Sequence, residues 1–462
     1  MLVNDVHSKL NATRVRRIEL PRSTEAAAEI VRAARGRGER RSVAGGRHAM
    51  GGQQFASGQV LVDCSALTEV TALDDAAGTA EVGAGITWPV LIERLERRQP
   101  GVVRPWSIVQ KQTGADRLSV GGALAANAHG RGLAFRPFVQ DVDAFTLVDA
   151  TGAVRRCSRT ENAETFRLAV GGYGLLGIVT SVRLRLAPRR KVERVVELLD
   201  AGSLRERFDE RIAAGFTYGD FQFAIDPHSD ALLRRGVFAC YRPVADDVPM
   251  PAAARELSEH DWLSLIRLAH SDRSAAFERY AAYYLSTSGQ TYWSDRHQLA
   301  TYVDDYHAKL AAHLPHVAGG SEMISELYVP RAALATFLEA ARCDVRERAM
   351  QLVYGTIRLI ERDDETVLAW SREPWACVVV NLHTEHDSAA LEKTATDFRR
   401  LIDRALEVGG SYFLTYHRWA TRSQVLRAHP RLPEFLAAKR RHDPDGLFAS
   451  DWHRHHVALL EG

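Results

Sequence analysis

The sequence predicts an α+β chain in two domains, on three observations. These are its length, a glycine-rich first part that alternates short β-like runs with helices, and a change of composition at Pro188 to Lys191 (PRRK). At 462 residues the chain exceeds one ordinary domain and can bury two sizeable cores. With 46% hydrophobic and 26% charged residues it reads as soluble and globular. Its 60 Lys and Arg against 58 Asp and Glu leave a formal charge of +2, no electrostatic footprint for nucleic acid. It has no run of about 18 apolar residues, and residues 1–20 lack the apolar centre of a secretion signal. The expectation is therefore a cytoplasmic protein with no membrane partner. Five cysteines (Cys64, Cys157, Cys240, Cys343, Cys377) are odd in number and never form a CxxC pair, which argues against a disulfide framework and a structural zinc site. They read as reduced, mostly buried thiols, and no metal is expected.

Taken in order, Ser23 can cap a helix running to Arg35, with Ala27, Ile30, Val31 and Ala34 on one apolar face. Short strands follow at Arg41 to Ala44, Val60 to Val62 and Thr79 to Val82, and then a helix that Thr87 can cap with Pro89 in its first turn. From Ile178 the period is two: Val182, Leu184 and Leu186 face one way, Ser181, Arg183 and Arg185 the other, as in a half-buried strand. After the PRRK linker, strands are expected at Phe221 to Ile225, Glu326 to Val329, Thr356 to Ile360 and Cys377 to Asn381. The tail holds a helix, LPEFLAAKRR, stopped by the His442 to Gly446 turn. The division is residues 1–187, residues 188–429, and a return segment, residues 430–462. There is no internal repeat or low-complexity segment.

Three glycine motifs carry the chemistry. Arg41 to Gln53 (RSVAGGRHAMGGQ) sets four glycines around His48, and glycine lets main-chain N–H groups approach a diphosphate. Gly114 to Gly132 (GADRLSVGGALAANAHGRG) places Gly121 and Gly122 before small alanines, leaving room for a flat ligand. Gly171 to Gly177 (GGYGLLG) leads into the Ile178 strand. Each alone fits a structural turn as well as a ligand site, and a histidine in such a loop is more often a hydrogen-bonding residue than a catalytic one.

Together, GGRHAMGGQ, SVGGALAANAHG and GGYGLLGIVTSVRLRL resemble the flavin-binding domain of the vanillyl-alcohol oxidase (PCMH-type) flavoprotein superfamily, over residues 20–187 and again over residues 430–455. The resemblance implies a two-domain fold with an α+β substrate domain and a C-terminal return, and FAD as cofactor. It gives the first loop (Ala44, Gly45, Gly46, Arg47, His48, Ala49, Met50, Gln53) to the diphosphate. The second (Gly114, Ser119, Gly121, Gly122, Ala125, Asn127, Ala128, Gly130) goes along the isoalloxazine and ribityl chain, and the third (Gly172, Gly177, Ile178, Val179) closes the flavin sheet. His48 falls where covalent members join histidine to the flavin 8α-methyl group, although Ala49 replaces the usual serine. Arg117, not cysteine, precedes LSVGG, so no second link is implied. His129, in NAHGRG, aligns with a histidine at the active-site edge of several members and could equally be a packing residue.

In the substrate domain SELYVPRAALATFLEAA and TIRLIERDDETVL look like segments of aldonolactone and alditol oxidases, whose arginine over the flavin corresponds to Arg358. Thr356 stands where those enzymes have glutamate. Trp375 to Thr384 reads as a buried strand carrying a substrate-facing residue, Asn381 or His383. The segment GGSYFLTYHRWATR is similar to decaprenylphosphoryl-ribose oxidases, with Tyr416 at the position of their catalytic lysine and His417 next. The resemblance thus implies an FAD-dependent oxidase or dehydrogenase acting on a CH–OH group of a small carbohydrate-like substrate, with His417 or Tyr416 as base and oxygen or another acceptor reoxidising the flavin. Amine or C–C oxidation of the cytokinin-dehydrogenase kind is the enzymatic alternative, and a flavin-fold binding protein the non-enzymatic one. The oligomeric state is left open.

Overall fold

The computed structural model describes residues 1–461 except 302, 304, 305, 315, 316 and 318. A ribbon of β1 (Leu2–Val3) and β2 (Thr13–Arg14) precedes a parallel sheet of β3 (Arg17–Glu19), β4 (Arg41–Ala44) and β5 (Val60–Asp63), ordered β3-β5-β4. Next comes an antiparallel sheet of β6 (Val70–Asp74), β7 (Thr79–Gly83), β8 (Trp106–Ile108), β9 (Val142–Val148), β10 (Val154–Ser158) and β11 (Ile178–Pro188). Its order is β10-β9-β11-β7-β6, with β8 on β11. The remaining strands are β12 (Lys191–Asp200), β13 (Tyr218–Phe223), β14 (Arg235–Pro243), β15 (Thr291–Trp293), β16 (Gly320–Pro330), β17 (Leu352–Ile360), β18 (Trp375–Glu385) and β19 (Ser411–Tyr412). They form one antiparallel sheet ordered β15-β12-β14-β13-β17-β18-β16-β19. The chain is a mixture of helix and sheet, as its patterning predicts.

Local chemistry explains the elements. Ser23 Oγ accepts from Ala26 N–H at the start of the Thr24–Arg37 helix, and Gly38, at φ 62°, ends it in the left-handed region. Ala27, Ala28, Val31 and Ala34 are buried along its inner face. Thr87 stands at the N-cap of the Trp88–Arg98 helix with Pro89 in the first turn, but its hydroxyl makes no capping bond. The period of two in β11 buries Val182 and Leu184 and exposes Arg185. The PRRK stretch is a two-residue turn between β11 and β12, with Arg189 paired to Asp295 and Glu96. Four of the five cysteines are buried thiols; Cys343 is exposed.

Two features position the site. The largest apolar cluster runs from one sheet to the other, uniting Leu133 and Phe138 with Phe238 and Trp375. The tail then returns to the beginning: Arg41 N–H donates to the Leu447 carbonyl at 2.8 Å and Ala449 N–H to the Arg41 carbonyl at 2.9 Å, placing Phe448 as a parallel bridge beside β4. The buried Lys439–Asp443 pair (2.6 Å) shapes that turn, because Asp443 also accepts from the Leu447 and Phe448 amides. Among the described residues no helix is long and apolar enough to cross a membrane.

Candidate active site

A cavity of about 720 Å³ opens where the three glycine motifs meet β16, β17, β18 and the loop after β19. It lies within the size range of small-molecule and cofactor sites. Of the residues expected to hold FAD, Ala44, Gly45, Gly46, Arg47, His48, Ala49, Gln53, Gly114, Ser119, Gly121, Gly122, Ala125, Gly177 and Val179 line it. Six do not. Met50, Ala128 and Ile178 lie in the apolar cores, Ile178 because successive strand residues face opposite sides. Asn127 ends the Val120–Ala126 helix at φ 48° and ties its amide to Asp363 and Val139. Gly130 and Gly172 are close-packing positions, where a Cβ would fall 2.6 Å from the Lys111 carbonyl and 2.2 Å from the Leu168 carbonyl.

The first two motifs touch through their glycines. A Cβ on Gly46 would lie 2.4 Å from the Arg117 carbonyl, and one on Gly45 would lie 2.1 Å from Ser119 Oγ. Glycine permits that close approach of the two motifs, and both of them line the cavity. Gln53 locks the first motif to the far end of the chain: its Nε2 donates to the Leu414 and Thr415 carbonyls (3.1 and 2.9 Å), while its Oε1 accepts from Gly51 N–H. His48 is buried, with Nδ1 2.7 Å from His7 Nε2. Burial, with His7 alongside, pushes its pKa down to about 3 although a hydrogen bond to the Arg117 backbone opposes the fall. Burial likewise lowers His7 to about 4. Both rings are neutral at ordinary pH.

The opposite wall centres on Glu326, which sequence reasoning missed as a site residue. Its Oε1 accepts from the Tyr416 hydroxyl at 2.7 Å, and its Oε2 accepts from Tyr328 OH at 2.8 Å and faces His129 Nε2 at 2.8 Å. Burial alone would raise its pKa, but His129, Arg358 and Tyr416 together hold it down to about 2, so it is a carboxylate. Burial and that carboxylate push the Tyr416 phenol well above its usual range, so Tyr416 keeps its proton and donates a hydrogen bond to Glu326. Arg358 is buried. Desolvation works against its charge, but Tyr354, Asp220 and Glu326 keep it protonated, and its Nε has no partner. Asn381 Oδ1 is also buried and unpartnered. Glu326, Arg358, Asn381 and Tyr416 all line the cavity.

The other candidates stand elsewhere. His129 is behind Glu326 and does not line the cavity. His383 pairs with Glu322 at 3.3 Å, outside the lining. His417 packs in a cluster with the rings of Phe398 and Trp419, with Nε2 3.2 Å from Ser325 Oγ, and burial pushes its pKa down to about 3. Thr356 is fully buried, its hydroxyl donating to the Phe221 carbonyl. The signal for Glu326 was its place in the strand SELYV, where a lone carboxylate at a buried position requires donors. For His7 no sequence signal existed.

The glycine-floored cavity fits a flavin dinucleotide. Glycines of the three motifs line one wall, and buried Arg358 and Asn381 atoms await partners on the other. Comparison with known proteins makes this a flavin-dependent oxidoreductase with FAD as its cofactor. Residues 15–158 match the family described as the FAD binding domain. The chain is 24% identical to L-gulono-1,4-lactone dehydrogenase of Mycobacterium tuberculosis over 440 residues, 94% of each protein. It is 23% identical to decaprenylphosphoryl-beta-D-ribose oxidase of Mycolicibacterium smegmatis over 411 residues, 86% of this chain and 84% of the relative. A shorter match, 33% over 147 residues, is to cytokinin dehydrogenase 2 of Arabidopsis thaliana and covers 31% of this chain and 28% of that protein.

Proposed function

We propose that this protein oxidises a CH–OH group of a carbohydrate-like substrate, with oxygen or another acceptor restoring the cofactor. The observation that carries this is the Tyr416–Glu326 hydrogen bond of 2.7 Å on the cavity wall, beside Arg358 and Asn381. FAD, when bound, supplies the two-electron acceptor that takes the hydride. The protein's part is positioning and proton transfer. The substrate hydroxyl donates its proton to Tyr416 Oη as Tyr416 passes its own proton to Glu326 Oε1, so the buried carboxylate takes up the proton and is neutralised without a water molecule. Asn381 Oδ1 orients the substrate by accepting from a second hydroxyl. The fixed Arg358 guanidinium favours negative charge developing in the cavity, where low polarity strengthens its effect. The proton route thus runs through Tyr416 rather than His417. Both long matches are to proteins named for a lactone and a ribose derivative, which supports a sugar-derived alcohol.

The test is anaerobic mixing of the FAD-loaded protein with a panel of lactones, alditols, ribosides and amines while the flavin absorbance is followed. Bleaching by one of the alcohols is expected, slowed roughly 10² to 10⁴-fold in Tyr416→Phe, the usual worth of a positioned proton-transfer group. Tyr416→Phe should retain its FAD. Bleaching by amines alone would overturn the reading.

A further inference from the structure

Beside the main cavity lies a second space of about 330 Å³. Gln222, Ile324, Tyr354 and Asn381 line both, so the two form one branched chamber with those side chains at the fork. Strand β16 measures its depth. Glu326 faces the main cavity, Ile324 both spaces and Glu322 the branch. At about 3.3 Å per strand residue the branch therefore reaches roughly 13 Å beyond the Glu326 cluster. Its walls are Phe223, Ile225, Leu265, Ile266, Phe277 and Val353, supplied by β13 and the chain just after it, β17 and the helices Glu259–Ser271 and Arg273–Ser286. Among the described lining residues Glu322 is the one carboxylate, and it is already satisfied by His270 Nε2 at 3.1 Å and by the Tyr306 hydroxyl.

A free sugar or alditol would fit this space poorly, because most of its hydroxyls, buried against these apolar walls, would lose their hydrogen bonds. An apolar group would gain there in proportion to the area it removes from water. The volume is roughly twice that of an apolar cavity that holds benzene, enough for a fused pair of aromatic rings. We propose that the branch binds an aromatic or alkyl substituent of the substrate, joined to the carbon skeleton whose hydroxyl meets Tyr416. The proposal rests on the alcohol-oxidation reading only in making the occupant part of the substrate.

The probe is 2-naphthalenemethanol, titrated anaerobically into the FAD-loaded protein, with quenching of naphthalene fluorescence reporting binding and flavin absorbance recorded in the same cuvette. Saturable binding is expected, weakened at least about tenfold in Ala269→Trp, whose indole would fill the branch, with FAD content unchanged. Ile266→Trp fills it from the neighbouring position should the first variant not fold. Absence of saturable binding to the wild type, or equal affinity in the filled variants, would overturn the assignment even if the flavin bleaches. Binding lost on filling, without bleaching, upholds the branch and counts against this alcohol as a reductant.

Discussion

His48 shows how burial decides chemistry at one side chain. A neutral imidazole is the nucleophilic form, and burial beside His7 keeps His48 in that form far below physiological pH. A bond from this ring to the flavin is therefore the expected outcome of loading with FAD. Acid precipitation should leave the yellow colour with the polypeptide in the wild type and release it in His48→Ala; colour freed from the wild type would rule the bond out. The same scale shows why Glu326 escaped the sequence reading. Its donors Tyr416 and His129 are 90 and 197 positions away, and His7 and His48 are 41 apart. No window along the chain contains either cluster.

The glycine motifs, by contrast, were legible because their chemistry is local. A loop that must let main chain approach a ligand carries glycine at the contact itself, and Gly45, Gly46, Gly121 and Gly122 all reach the cavity. Gly130 and Gly172, which do not line the cavity, pack closely against a carbonyl as Gly46 also does, so the same letter in the sequence serves both purposes. Alternation located β11, and short apolar runs located β13, β16, β17 and β18, half the strands of the large sheet, while pairing order, set by contacts between distant segments, was not readable. Gly46→Ala tests the element directly. Its new methyl group would press on the Arg117 carbonyl, a backbone atom that cannot swing aside, at about 1–3 kcal/mol for overpacking. The ratio of flavin to protein absorbance should fall about tenfold with circular dichroism unchanged; full occupancy would show that the two motifs do not form the cradle.

Across the molecule, the tail ties the cavity's two walls together. Trp452 is fully buried, packs on Tyr173 at 4.7 Å and donates to the Leu414 carbonyl at 3.3 Å, two residues before Tyr416. Trp452→Ala should cost about 3–5 kcal/mol, as other buried tryptophans do. It should also lower FAD affinity, because Tyr173 and Thr415, which share a hydrogen bond, line the cavity. Thermal unfolding with and without added FAD measures both effects; a melting point that stays put would remove the tail from this account. The bridge between Arg41 and Phe448 carries one more consequence, for the order of events in the cell. Until the segment around Phe448 has docked on Arg41, the strand beside the first glycine loop has an open edge. Uptake of the nucleotide is then expected to follow that docking rather than precede it.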